Sequence, residues 1–114
     1  MKKKLSQKIV VINKGGKEIT VDEVLVSGKI TVVDFYADWC TPCRQLSPYL
    51  EKLAKSDPDI YLRKVNIVKW GTPITKQFAI NSVPDVRVFD RYGRIVGRPS
   101  YNFNEILSYV KRSK

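Results

Sequence analysis

Cys40 and Cys43 are the only cysteines in the 114 residues, and two residues separate them. They follow an apolar run, residues 30–37, that reads as a buried strand, and they precede a helix-like segment, residues 44–55. Two thiols one helical turn apart, with Cα atoms roughly 5–6 Å from each other, suit disulfide geometry. The thiol at the start of the helix also meets unpaired N–H groups and the positive end of the helix dipole, both of which favour thiolate over thiol. Two other chemistries compete. Structural zinc takes four Cys or His ligands, and with two cysteines and no histidine one chain cannot complete such a site. That leaves zinc or an iron–sulfur cluster shared between two chains. A purely structural disulfide would close a very short loop, with little gain in chain entropy. Dithiol–disulfide exchange is the reading that uses both the spacing and the flanking elements.

The elements that must position this pair fit one domain, residues 1–114, with residues 1–7 a flexible basic N-terminus. At 43% hydrophobic content the chain can bury a real core, and two thiols are not a disulfide framework. No apolar stretch approaches the roughly 18 residues of a membrane span. Lys2, Lys3 and Lys4 imitate the basic start of a secretion signal, but Ser6, Gln7 and Lys8 interrupt where its apolar region belongs. A cytoplasmic location is therefore expected, or a periplasmic or other extracytoplasmic one if the chain is the mature part of a longer precursor. The net charge is +10. It gathers at Lys2, Lys3, Lys4 and Lys8, at Lys111, Arg112 and Lys114, and at Arg87, Arg91, Arg94 and Arg98 on one predicted hairpin. Such patches suit acidic partners, anionic lipid or nucleic acid, or are simply solvated. No nucleic-acid-binding motif accompanies them, so no nucleic-acid partner is expected.

Residues 8–12 read as a short strand and Lys14-Gly15-Gly16-Lys17 as a turn. Residues 18–27 are ambiguous between a short helix from Thr20 and an extended arm. Residues 30–37 are apolar on both alternating faces except at Thr31 and Asp34, the pattern of a central strand covered on both sides. Leu46, Leu50, Leu53 and Ala54 have helical spacing, with Pro42 in the first turn and Pro48 a kink in the interior. A strand follows over residues 60–67, then a loop to Gly71. Thr72-Pro73 opens a short helix to Phe78 or Ala79. Residues 86–90 and 94–97 form a hairpin around Arg91-Tyr92-Gly93. Asn102 or Asn104 caps a last helix whose apolar face is Phe103, Ile106, Leu107 and Val110. Strand–helix–strand early in the chain asks for a parallel crossover and the late hairpin for an antiparallel edge.

Together these residues resemble the thioredoxin family. The matching pieces are Val33-Asp34-Phe35-Tyr36-Ala37-Asp38-Trp39-Cys40-Thr41-Pro42-Cys43, Pro48, Lys64-Val65-Asn66-Ile67, Ile80-Asn81-Ser82-Val83-Pro84 and the hairpin at residues 89–93. The resemblance implies an α/β thioredoxin fold, a central mixed sheet of four to five strands flanked by helices on both faces. It implies that Cys40 attacks a protein disulfide and Cys43 resolves the mixed disulfide. Asp34, behind Cys43 and tuned by Lys64, would take the second proton. Trp39, Thr41, Pro42, Val83 and Pro84 would hold the substrate, with a cis bond before Pro84 and Tyr36 as a second aromatic near Trp39. Asp34 could instead serve only backbone donors, Lys64 could be a solvated strand lysine, and Pro84 an ordinary strand-initiating proline. The resemblance further implies no metal or organic cofactor beyond the redox-active Cys40–Cys43 disulfide. Its partners would be protein disulfide substrates and an unidentified reductase or other electron donor, and the chain would be a monomer.

The chain departs from the family's commonest pattern in four places. Thr41 stands where glycine is usual. Arg87 occupies a usually apolar strand position, so it must reach the surface or find an acid. Asp85 would put a carboxylate in the substrate groove. Arg98-Pro99-Ser100-Tyr101-Asn102 replaces a glycine loop and makes the rim bulkier and more basic. Two other roles fit the same fold: the soluble domain of an exported protein reducing extracytoplasmic thiols or serving cytochrome maturation, and a non-catalytic binding module.

Overall fold

The computed structural model describes residues 7–114. Lys2, Lys3 and Lys4 lie outside the described residues, as does the expected flexible N-terminus apart from Gln7. The elements run β1 (Ile9–Ile12), α1 (Val21–Val24), β2 (Ile30–Tyr36), α2 (Thr41–Ser56), β3 (Ile60–Asn66), α3 (Pro73–Gln77), β4 (Asp85–Phe89), β5 (Ile95–Ser100) and α4 (Phe103–Ser113). The five strands form one sheet in the order β1-β3-β2-β4-β5. β1 and β2 both pair parallel with β3, whereas β4 runs antiparallel to β2 and β5 antiparallel to β4. The central position of β2 explains its apolar composition on both faces: Ile30, Val32, Val33 and Phe35 are all buried.

Alternation along the strands divides the core in two. Val33, Phe35 and Val65 face α1 and α3 and pack with Ile74 and with both cysteines. Ile30, Val32, Leu62, Val86 and Val88 face Leu46, Leu50 and Ala54 of α2 and Ile106 and Val110 of α4. Each fully buried Leu, Ile or Val contributes roughly 1.5–3 kcal/mol, so these two layers fix how the helices lie on the sheet.

The ambiguous segment before β2 resolves into a single turn, α1, closed by a capping box: Thr20 N–H donates to Glu23 Oε2 at 2.6 Å. The chain then extends from Leu25. The hairpin strands differ from their expected bounds. β4 begins at Asp85 and ends at Phe89, and β5 begins at Ile95 and continues through Pro99 to Ser100. Proline is tolerated there because β5 is an edge strand. All four arginines of this region are matched by carboxylates: Arg87 by Asp85, Arg91 by Asp59, Arg94 by Asp90 and Arg98 by Glu105. The basic run is thus largely paired, and no helix among the described residues is long and apolar enough to cross a membrane.

Candidate functional site

The parallel β2–β3 pair ends where α2 begins; the connection from β2 delivers Cys40 to the start of α2, and Cys43 follows in the first turn of that helix. Cys40 is the N-cap of α2; its sulfur accepts from the Cys43 backbone N–H at 3.2 Å. Pro42 fills the first turn, where a missing N–H costs nothing. Cys40 and Cys43 are joined by a disulfide, with their Cα atoms 5.3 Å apart. Both are nearly buried, Cys40 at 5% exposure and Cys43 at 3%, so position on the helix distinguishes them more than exposure does. Thr41 Oγ1 accepts from Arg44 Nη2 at 3.1 Å while Arg44 Nη1 donates to the Asp38 carbonyl at 2.6 Å. The threonine in the glycine position therefore helps hold a guanidinium against the first turn of the helix.

Behind the disulfide lies a cleft of about 440 Å³ lined by residues that include Asp34, Tyr36, Cys43, Ser47, Glu51 and Lys64. Asp34 is 1% exposed and its Oδ1 has no hydrogen-bond partner among the described residues. Burial pushes its pKa up to about 7, with Lys64 pulling it down and Asp85 and Glu51 adding to the rise. Such a carboxyl can accept a proton near neutral pH and give it back. Lys64 stands beside Asp34 in the β2–β3 register, but its ammonium is engaged elsewhere. It donates to Ser47 Oγ at 2.6 Å and to Glu51 Oε2 at 3.1 Å. Sequence reasoning missed these partners, although a signal for them exists: Cys43, Ser47 and Glu51 are spaced by four and so share one face of α2.

The peptide bond between Val83 and Pro84 is cis. Val83 packs on the cluster that contains both cysteines, and Pro84 shares a groove with Pro42, Tyr49, Tyr101 and Phe103. Trp39 is half exposed, and its indole N–H donates to the Val68 carbonyl at 2.7 Å. That carbonyl is presented by a β-branched residue at φ 71°, a strained left-handed conformation. The second aromatic beside Trp39 is Trp70, at a ring distance of 6.0 Å, not Tyr36. Tyr36 instead lines the Asp34 cleft, with the Lys64 ammonium 5.4 Å from its ring centre. The bulky rim is present: Arg98 and Tyr101 are largely exposed.

Asp85 does not stand free in the groove. It lies on the other face of the sheet, paired in register with Phe35, and Arg87 grips it through Nε to Oδ1 at 2.9 Å and Nη2 to Oδ2 at 3.1 Å. This pair answers what Arg87 does in a buried strand: a residue two positions away supplies the acid, because alternation puts both on one face.

A helix-capping cysteine pair, a buried carboxyl behind it and a cis-proline segment packed against it define a site for thiol–disulfide exchange on a mixed sheet. The thioredoxin family model matches residues 10–108. The chain is 38% identical to thioredoxin of Mycoplasmoides gallisepticum, over 76% of this chain and 90% of that one. It is 35% identical to thioredoxin of Chlamydia pneumoniae, over 72% of this chain and 81% of the relative. The crystal structure of the short form of spinach chloroplast thioredoxin f shares the fold at a TM-score of 0.75 and 22% identity, with 96% of each chain covered. The chain belongs to the thioredoxin family. It is a disulfide oxidoreductase whose Cys40 and Cys43 stand at disulfide distance. The family works on protein disulfides through its cysteine pair, without a bound cofactor.

Proposed function

We propose that the protein reduces protein disulfides through Cys40-Thr41-Pro42-Cys43 by way of a mixed disulfide. In the reduced form the Cys40 thiolate attacks one sulfur of the target disulfide. A Cys40–target bond forms, the target's own S–S bond breaks, and its other sulfur leaves as thiolate and takes a proton from solvent. Cys43 then attacks Cys40 Sγ, the target's second thiolate leaves, and the Cys40–Cys43 disulfide closes. Two electrons pass to the target, and a separate reductase or other electron donor returns them. Asp34 takes the Cys43 proton across the cleft that both residues line, and the α2 N-terminus stabilises charge on Cys40. Trp39, Val83 and Pro84 hold an extended target segment beside Cys40, where the segment can pair with the Val83 backbone as an added strand. Lys64 biases Asp34 toward the charged form.

The observation that carries this reading is the placement of Cys43 between two reactive neighbours, the sulfur of Cys40 and the Asp34 cleft. With Cys43→Ser, mixing with a disulfide-bonded target should trap a Cys40–target adduct, visible as a mass increase that dithiothreitol removes. Cys40→Ser should trap nothing under the same conditions. An adduct on Cys43 in the Cys40→Ser protein, in place of one on Cys40, would reverse the assignment.

A further inference from the structure

Arg87 is the side chain on β4 that the exchange chemistry leaves without a role. Its flank is apolar: the guanidinium lies 5.3 Å from the ring centre of Phe35 and 5.6 Å from that of Phe78. The side chain is 13% exposed and that of Asp85 9%. Replacing a buried ion pair with apolar residues of similar volume is commonly neutral or stabilising. Stability alone therefore gives no reason for a charged pair here.

The geometry of the pair gives one. Arg87 Nη2 donates to the Phe78 carbonyl at 2.7 Å, and the same guanidinium holds both oxygens of Asp85. Phe78 is the C-cap of α3, and Asp85 is the first residue of β4. Between them runs the segment 79–84, which contains Val83 and the cis-bonded Pro84. Its near end turns through Ala79 at φ 51°, and Ile80 N–H returns to the Thr75 carbonyl at 2.8 Å. Asn81 and Ser82 beyond it are exposed. One rigid, planar group thus ties both ends of the segment to each other. A fork of fixed donors suits that task, whereas a lysine ammonium cannot reproduce its geometry.

We infer that Arg87 is a positioning residue for target binding, a brace that fixes the backbone of Val83 where an extended target segment pairs with it. This rests on the proposed role of Val83 and Pro84 as the target-binding edge. The brace acts on recognition of polypeptide disulfides, which need that edge. It matters less for small disulfides, which need only the sulfur.

The test compares R87K and the double variant D85N/R87M with the wild-type chain. R87K keeps a cation beside Asp85 but loses the fork; the double variant removes the pair without leaving a buried charge unmatched. Initial rates with insulin and with bis(2-hydroxyethyl) disulfide, under dithiothreitol, give kcat/KM for a polypeptide and for a small disulfide. In both variants the insulin-to-small-disulfide ratio should fall roughly threefold to tenfold, about the net effect of losing one ordinary hydrogen bond, through a raised KM for insulin. A wild-type ratio in R87K would mean that Arg87 only neutralises Asp85, and would overturn the inference. So would an unchanged ratio in the double variant. P84A, measured alongside, separates the two readings. If P84A lowers the ratio and the Arg87 variants do not, only the brace fails. If P84A leaves the ratio unchanged, the target-binding edge itself is misassigned.

Discussion

Asp34→Asn should stabilise the oxidised protein at alkaline pH and leave it unchanged in acid. The carboxyl is 1% exposed, its Oδ1 has no hydrogen-bond partner among the described residues, and its pKa in the fold is about 7 against an ordinary 3.8. As pH rises through this window the unfolded chain has already released the proton while the folded chain keeps it. Ionisation inside the fold is then resisted, so stability falls with rising pH between about 4 and about 7 and is flat beyond. The span from 3.8 to about 7 corresponds to about 4 kcal/mol, at ~1.36 kcal/mol per tenfold change in proton affinity. Asparagine has nearly the same shape and cannot ionise, so it escapes this cost. The advantage of the variant should be near zero at pH 4, about half its full value near pH 5.5, and close to 4 kcal/mol at pH 8. Urea unfolding of both oxidised proteins at several pH values measures it. The other carboxylates titrate alike in both chains and cancel in the difference. The charged groups that act on Asp34 are Lys64 from β3 and Glu51 from α2 on its own face, and Asp85 of β4 from across the sheet, and none is altered. A difference that stays constant from pH 4 to pH 8, or a D34N chain less stable than the wild type at pH 8, would refute the reasoning.

Glu51→Gln removes a negative charge that raises the Asp34 pKa, and it frees Lys64 from its ion pair. Both effects favour ionised Asp34, so the midpoint of the pH dependence just described should move to lower pH by roughly half a unit to one unit; an unmoved midpoint would show that Glu51 has no hold on the site. Thr41→Gly releases one of two anchors of Arg44 at the α2 N-terminus. With the cation less firmly held near the Cys40 thiolate, the reduced form loses support. The reduction potential, measured against glutathione buffers, should become more negative by roughly 10–30 mV. A shift in the oxidising direction would show that the guanidinium does not act on the thiolate.

The fold was legible where the chain repeats a simple physical demand. An apolar run covered on both faces, a helix with leucines at spacing four and a parallel crossover leave few alternatives, and β2, α2 and β3 emerged as expected. What was harder depends on contacts distant in sequence. The single turn of α1 is set by a capping box whose Glu23 also pairs with Lys14, and the apolar periodicity fitted an extended arm as well as a short helix from Thr20. β5 runs through Pro99 because it lies at an edge, a fact of strand order and not of composition. In the site, the cysteines were readable because they are the chain's only two and their spacing is specific, whereas Pro84, one of six prolines, was readable only through the family resemblance. Trp70 was overlooked because its role comes only from the loop that brings it against Trp39. Ser47 and Glu51 look like ordinary helix-surface residues until Lys64 is placed opposite them.

The two buried aspartates show how the same residue type is put to opposite uses on one sheet. Asp85 faces α3 and receives a guanidinium at two points, which compensates its charge where it stands. Asp34, on the α2 face, receives no such partner. The cation that faces it, Lys64, is drawn away by Glu51 and Ser47. A carboxylate meant only to hold the fold together would be matched, since an unmatched one costs several kcal/mol. The chain does match one at the adjoining position of the same strand pair, where Asp85 stands opposite Phe35 and Asp34 opposite Val86. Leaving Asp34 unmatched keeps its proton affinity near neutrality, which is what the proposed exchange with Cys43 requires. Under the proposed function, the stability forgone at Asp34 and the order gained at Asp85 serve one purpose: the α2 face would handle protons and the opposite face would hold the target-binding segment still.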